Sequence, residues 1–398
     1  MHPLITYKKQ LSIPLLGMIV VLCSFGCTEP FEGTVDGFED VLVIDAIITN
    51  ENKRQEVRLT RSFRFDEEGP QAEENAVVTI EDGEGEQFVF REEEPGIYLS
   101  SAPFAAEMGK NYSLSITTTD GKSYRSDTMQ LPAPSTTIDE LYAERTTNDQ
   151  GEEGMGIFVD TFDPSRQSNY YRYEYEETFK IIAPLWSPND VVFIIQLSTG
   201  PVFEIILRER EERVCYGTNR EKTIEIANTL NLSEDRLSRF PVRFINRDNY
   251  ILSHRYSILV RQYVQTQEAF AYYEDLKGLS QSPNSVFTED QPGFLPGNVF
   301  SLDDDSENVA GFFEVTTVTE ERIFFSYEDF FPGEDLPPYV QECVTSPAFG
   351  EDLKGILDRG TSAFYEFNPG EGGYILTSRE CGDCTALGSN KVPDFWVE

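Results

Sequence analysis

The alternation of apolar and polar positions along this chain is that of a β protein. Val41 to Ile48 is an apolar run of strand length, and Val57, Leu59 and Ser62 begin a second strand with rough alternation. Ala76-Val77-Val78-Thr79-Ile80 is β-rich and stops at Glu81-Asp82-Gly83, a turn signal. Gln87 to Arg91 and Gly96 to Leu99 read as short strands. Tyr112 to Thr118 alternates, and Asp120-Gly121 turns the chain into Ser123-Tyr124-Arg125-Ser126. Short, evenly spaced strands with Asp-Gly turns predict an immunoglobulin-like β-sandwich over residues 38–131. Leu131-Pro132-Ala133-Pro134-Ser135 comes next. Two prolines fix φ and cannot pair, so 132–135 reads as a stiff linker between two separately cored units.

The remainder, 136–398, has the same character. Thr146 to Gly156 reads as a polar loop and Ile157 to Asp160 as a strand. Tyr170 to Ile182 alternates most strongly, with Tyr171, Tyr173 and Tyr175 on one face and Arg172, Glu174 and Glu176 on the other. Val191 to Leu197 and Val202 to Leu207 read as a strand pair around Gly200-Pro201. Tyr256 to Tyr263, Val309 to Val318 and Arg322 to Tyr327 are further strands. One helix is predicted over 265–279. Thr266 can cap it, Phe270, Tyr273, Leu276 and Lys277 fall at helical spacing, and Gly278 lies near its end. No fixed-period repeat is present. The expected fold is mainly β: an N-terminal immunoglobulin-like β-sandwich plus a larger β-rich domain with one main helix.

The first residues depart from this pattern. Lys8 and Lys9 precede an apolar stretch from Leu11 to Phe25, which ends in Gly26-Cys27. The stretch is too short and too weakly flanked to span a membrane, and its layout is that of an export signal over 1–26. A small residue directly before a Cys is what a bacterial lipoprotein signal peptidase requires. Cys27 is therefore the expected lipidation site and new N-terminus, with 27–37 as a tether. Cys23 is a poorer candidate because Leu22 precedes it. The competing reading is an ordinary signal peptide with an incidental Cys.

Charge and cysteine usage narrow the function. The net charge is −38, and loss of Lys8 and Lys9 with the signal takes it to −40. Acids run the whole length, as in Glu92-Glu93-Glu94 and Asp303-Asp304-Asp305. Such a surface repels nucleic acid, which is excluded as a main partner. With Cys23 removed and Cys27 lipidated, Cys215, Cys343, Cys381 and Cys384 remain. An even number in an exported chain points to two disulfides, with three connectivities open. Cys381-Gly382-Asp383-Cys384 could also be a redox or zinc motif. No βαβ pattern surrounds it, and zinc would need Cys215 and Cys343 as further ligands.

Recognisable catalytic chemistry is scarce. Apart from His2 in the signal, the only histidine is His254, beside Arg255 and a β-run, where a structural role is the usual one. No G-x-S-x-G, P-loop or dinucleotide fingerprint occurs. Asp303-Asp304-Asp305 lacks calcium-loop spacing and reads as a solvated turn. No cofactor and no metal are expected. A glycosidase needs only two placed carboxylates, and among 70 acids no pair stands out. Trp186, Trp396 and the many tyrosines read first as core and sheet-face residues.

A family resemblance runs through the chain. The lipoprotein signal leads into Val43-Ile44-Asp45-Ala46-Ile47-Ile48-Thr49 and Val57-Arg58-Leu59-Thr60-Arg61-Ser62. Tyr256-Ser257-Ile258-Leu259-Val260-Arg261-Gln262-Tyr263 comes before Glu268-Ala269-Phe270 with Tyr273. Phe287, Gln291-Pro292 and Gly297-Asn298-Val299 follow, then Gly311-Phe312-Phe313-Glu314-Val315 and Glu321-Arg322-Ile323. Cys381-Gly382-Asp383-Cys384-Thr385 and Pro393-Asp394-Phe395-Trp396 close the series. In order and content it resembles the Bacteroidota lipoproteins grouped as domain of unknown function DUF4249. Cys215-Tyr216 departs mildly from a Cys-Trp pair in that family. The resemblance implies an outer-membrane lipoprotein, cell-surface facing, often encoded beside a TonB-dependent transporter, and it supplies no catalytic residues. Gly297-Asn298 is expected to fix a turn. The reading that follows is a non-enzymatic accessory of a TonB-dependent transporter, capturing a ligand or acting as a lid. The alternatives are a surface hydrolase using paired carboxylates and a structural envelope lipoprotein.

Overall fold

The protein is seen in a computed structural model. It describes residues 39–398 apart from 65–66, 68, 133, 135, 221–222, 282–294 and 371–372. The signal, Cys27 and the tether lie outside the described residues, as do Ala133 and Ser135 of the linker and Phe287, Gln291 and Pro292.

The fold is mainly β. The first segment holds β1 (Leu42–Thr49), β2 (Glu56–Arg61), β3 (Gln71–Ala72), β4 (Val77–Asp82), β5 (Gln87–Glu94), β6 (Ile97–Ser100), β7 (Tyr112–Thr117) and β8 (Ser123–Ser126). The middle holds β9 (Ile138–Thr147), β10 (Glu153–Phe162), β11 (Tyr170–Ile182), β12 (Asn189–Leu197), β13 (Gly200–Leu207), β14 (Val214–Arg220), β15 (Glu225–Asn228), β16 (Arg236–Asn246) and β17 (Arg255–Val264). Helix α1 (Gln267–Gln281) follows, then β18 (Val299–Ser301), β19 (Val309–Ser326) and α2 (Tyr327–Phe330). The last segment holds β20 (Thr345–Ala348), α3 (Gly350–Arg359), β21 (Ser362–Asn368), β22 (Gly373–Ser378) and α4 (Arg379–Gly382).

One hydrogen-bonded path runs β14-β11-β17-β19-β1-β2-β6-β5-β4-β7-β8-β18. Strand β19 is its hinge-post. Its first half pairs in parallel with β1, from Leu42↔Val309 to Thr49↔Thr316. Its second half pairs antiparallel with β17, from Val264↔Thr317 to Arg255↔Ser326. The two strands expected at 309–318 and 322–327 are therefore one. The polar stretch between them is solvent-facing strand, with Glu320 paired to Arg261 at 3.1 Å.

The first unit differs from an immunoglobulin sandwich confined to 38–131. Its strands form a single path whose ends meet: β18 lies beside β8, and Pro296 bridges to Ala310 at the start of β19. Its core mixes Ile44, Leu59, Ile80 and Leu114 with Val299, Val309, Phe313 and Val315 from far downstream. Asn298 locks the closure. Its side chain accepts from the Phe313 N–H at 2.8 Å and donates to the Phe313 carbonyl at 2.9 Å. Gly297 beside it does not fix a turn as expected. A Cβ there would lie 1.4 Å from the Gly311 carbonyl oxygen, so glycine is required by the close approach of two backbones.

The second core lies between β14-β11-β17-β19 and the small sheet β16-β10-β9. Tyr171, Tyr173 and Tyr175 fill it from one face of β11, as their alternation predicts. The expected loop 146–156 is shorter. Asn148 caps a tight turn by accepting from the N–H groups of Gln150 and Glu152, and β10 already starts at Glu153. Helix α1 begins where expected: the Thr266 hydroxyl accepts from the Ala269 N–H at 3.2 Å. It runs past Gly278, which stands in open space, to Gln281. A third, smaller core joins β20-β22-β21, α3 and the hairpin β12–β13.

Candidate functional site

The four cysteines pair across this last layer. Cys215 on β14 bonds Cys384, and Cys343 before β20 bonds Cys381, with Cα separations of 5.6 and 5.7 Å. The two cysteines of the C-x-x-C motif thus serve different partners. Each closes a long loop; Cys215–Cys384 staples the C-terminal segment to β14 of the main sheet, and Cys343–Cys381 braces that segment internally. Among the described residues, no three His, Cys, Asp or Glu side chains gather as a metal site. Asp303 accepts from the N–H of the distant Ser123 at the start of β8, and Asp304 serves a local turn by accepting from the Ser306 N–H. No helix among the described residues is long and apolar enough to cross a membrane.

Three places gather chemistry. The first is the hairpin β12–β13. Val191 is buried, and Phe203 packs on Tyr374 with ring centroids 5.6 Å apart. That face is turned to the third core. The opposite face carries Ile195 against Val202, Leu197 against Gly200, and Ile206. Ile194 is the extra residue of a bulge between Phe193 and Ile195. On the opposite face Ile195, Leu197, Val202 and Ile206 are 39–50% exposed, and Leu207, on the Val191 face at the strand's end, is 74% exposed. Apolar residues on both faces of a strand are the signature of a strand buried on both sides. Here, among the described residues, one side has nothing over it. The hairpin carries no basic residue; Asp190 and Glu204 are its charges, and from α3 Glu351 accepts from Gln196 while Lys354 lies 5.0 Å from the Phe193 ring.

The second place is a trough where β11, β17 and β19 end. Two adjoining cavities of about 350 and 250 Å³ share Lys180, Ile182, Ser253, His254 and Leu336. Burial, and then the Lys180 charge, push the His254 imidazole below its ordinary value. Lys180 Nζ holds both carboxylate oxygens of Glu398, at 3.0 and 2.9 Å.

The third is a buried ionic cluster under α1. Arg172 lies on the β11 face opposite Tyr171, Tyr173 and Tyr175, as expected, and α1 covers it there with Tyr273. Its guanidinium meets Glu314 at 3.1 Å, pairs with Glu174, and lies 4.2 and 4.5 Å from the Tyr263 and Tyr273 rings. Gln265 donates to the other Glu314 oxygen at 2.8 Å. Burial would raise the Glu174 carboxyl, but Arg172 and the Tyr263 hydroxyl outweigh it and hold it low. This cluster locks helix to sheet, with Arg172 and Glu314 buried and only Glu174 reaching solvent.

Sequence reasoning placed the cysteines and the helix cap, and it set His254 apart without a neighbour. It missed the open hairpin face. The signal was present in the unalternating runs Val-Val-Phe-Ile-Ile and Val-Phe-Glu-Ile-Ile-Leu, which need cover on both sides. It missed the Arg172–Glu314 pair because a strand pattern does not reveal which face a distant helix covers.

The molecule is thus a mainly β, disulfide-stapled chain with an uncovered apolar hairpin. It belongs to the family of the domain of unknown function DUF4249, whose model matches residues 28–322. No curated protein matches the sequence. Among solved structures, a DUF4785 family protein from Legionella pneumophila is similar at 9% identity, covering 55% of this chain and 51% of its own, with a TM-score of 0.17. The chain thus spans about half the length of that protein. The BSP domain of a biofilm associated protein is similar at 7% identity, covering 73% and 61%, with a TM-score of 0.14. Likenesses of that size carry no argument about fold or function.

Proposed function

We propose that this chain is a lipid-anchored outer-membrane protein that works by holding a partner protein, a TonB-dependent transporter, as its ligand-capturing or lid-forming accessory. The observation that carries the binding role is the uncovered apolar face of β12–β13. A two-stranded ribbon is marginal in water without cover, and contiguous exposed apolar surface marks an interaction site. Charge selects among occupants. The acidic rim and the net charge of −38 oppose a second copy and an anionic lipid surface, and favour an apolar protein surface with a basic border. The transporter as partner rests on the family resemblance and on Cys27 as the anchor. An anchor confines both partners to one surface and raises their effective concentration, so a modest interface suffices.

The test is purification of the native complex in detergent from cells carrying the wild type or Ile195→Asp. The transporter should co-purify with the wild type and be depleted with the variant, while both chains show the same thermal unfolding. Absence of any transporter with the wild type overturns the accessory role. Equal recovery with the folded variant overturns the hairpin as its docking face.

A further inference from the structure

We propose that the trough at the ends of β11, β17 and β19 binds a small amphipathic carboxylate, an apolar body with one anionic head. The inference does not depend on the hairpin or its partner. The two cavities adjoin along Lys180, His254 and Leu336, and their sizes sum to the range of small-ligand pockets. They differ in character. One cavity is polar, with Lys180, Arg255 and Ser326 at its wall beside the carboxylates of Glu328 and Glu398. The other is apolar, closed by Pro184, Pro337, Tyr250 and Tyr339. The polar cavity's two cations, Lys180 and Arg255, stand against two carboxylates, Glu328 and Glu398, and only Glu398 is paired with Lys180.

The seat of the anionic head is already marked by the chain itself. Glu398 places a carboxylate on Lys180, and Arg255 Nε donates to the neighbouring Val397 carbonyl. The segment bearing Glu398 is held by its rings rather than by this pair: Arg322 stacks on Phe395 at 3.6 Å, and Trp396 meets Tyr216 at 4.9 Å. The Glu398 side chain is 64% exposed, so its pairing is weak and exchangeable. A ligand carboxylate can take its place on Lys180 and gain the apolar end as well. His254 lines both cavities and makes no side-chain hydrogen bond among the described residues, which leaves a neutral imidazole N–H to meet the incoming oxygen.

His254 is also the only histidine in residues 28–398, so its imidazole is a unique reporter. Residues 28–398, with both disulfides formed and ¹⁵N-labelled histidine, are titrated with decanoate and separately with decan-1-ol. Decanoate should shift the imidazole resonance saturably. Decanol should bind about tenfold more weakly, the loss expected for one charge-assisted hydrogen bond. Lys180→Gln should weaken decanoate to a similar degree, Glu398→Gln should tighten it, and Ile195→Asp should leave it unchanged. No saturable shift overturns the site. Equal binding of the alcohol overturns the anionic head. Indifference to Lys180→Gln, with unchanged circular dichroism, overturns the seat. Binding that leaves His254 unmoved but vanishes in Ile195→Asp assigns the ligand to the hairpin and overturns the proposal.

Discussion

Asp163 shows how a single side chain can dominate a local turn. Burial alone would push its carboxyl up, but the Ser165 hydroxyl and N–H, the Gln167 N–H and the Ser168 donors outweigh it and hold it at about 2, below its ordinary 3.8. Those bonds run at 2.6–3.0 Å. The unfolded chain therefore binds the proton more tightly than the folded one. The stabilisation is complete above the ordinary value and is lost as pH falls from about 4 to about 2, and the shift is worth roughly 2 kcal/mol. Asp163→Asn should lose about that much at pH 7 by urea unfolding, and the gap to wild type should close toward pH 2. A constant gap across that window would refute it. Arg172 and Glu314 carry a second prediction, because the Arg172 side chain is 4% exposed and that of Glu314 is fully buried. Arg172→Ala strands a buried carboxylate and should cost about 3–5 kcal/mol, whereas Arg172→Met with Glu314→Leu should recover most of it. Additive losses in that pair would show that the two side chains are not coupled.

At the scale of elements, glycines give opposite predictions by position. Gly297→Ala would put a Cβ 1.4 Å from the Gly311 oxygen, and Gly311 itself has φ +100 with the Ile44 oxygen 1.8 Å from a built Cβ. Either substitution must push β18 or β1 away from β19, and each should cost about 3 kcal/mol or more. Gly278 sits in α1 with nothing near it, so Gly278→Ala should raise stability by about 0.5–1 kcal/mol. Thermal unfolding of the three variants checks the signs. What the sequence disclosed here was local. Alternation gave the exact span of β11, and Thr266 gave the start of α1. Strands such as β14 and β16 were not read, because Gly217 and Pro241 interrupt their patterns while tertiary pairing overrides propensity. The continuity of β19 was hidden by Thr319-Glu320-Glu321, which looks like a turn until Arg261 is found opposite. The trough was equally hidden, since Lys180, His254 and Glu398 meet only after three distant segments come together.

Over the whole molecule, β19 decides how the halves depend on each other. It is 18 residues long and serves both cores, with Phe313 and Val315 in the first and Phe325 in the second. The proline linker predicts separable units, yet the core of the first takes Val299, Val309, Phe313 and Val315 from beyond it. A fragment of residues 39–131 would keep β1 to β8 but lose the parallel partner of β1, the strand beside β8 and the Asn298 lock. Leu42, Ile44, Ala46 and Ile48 would still find β2, but one edge of β1 would be left unpaired and its core face half uncovered. At about ninety residues the remaining core has little to spare. The expected outcome is a fragment with β-type circular dichroism but poor dispersion in heteronuclear NMR spectra. Adding a peptide of residues 295–318 should restore dispersion by supplying β18 and the first half of β19. A fragment that is well dispersed alone, and unmoved by the peptide, would show that β19 braces a unit already complete rather than finishing it.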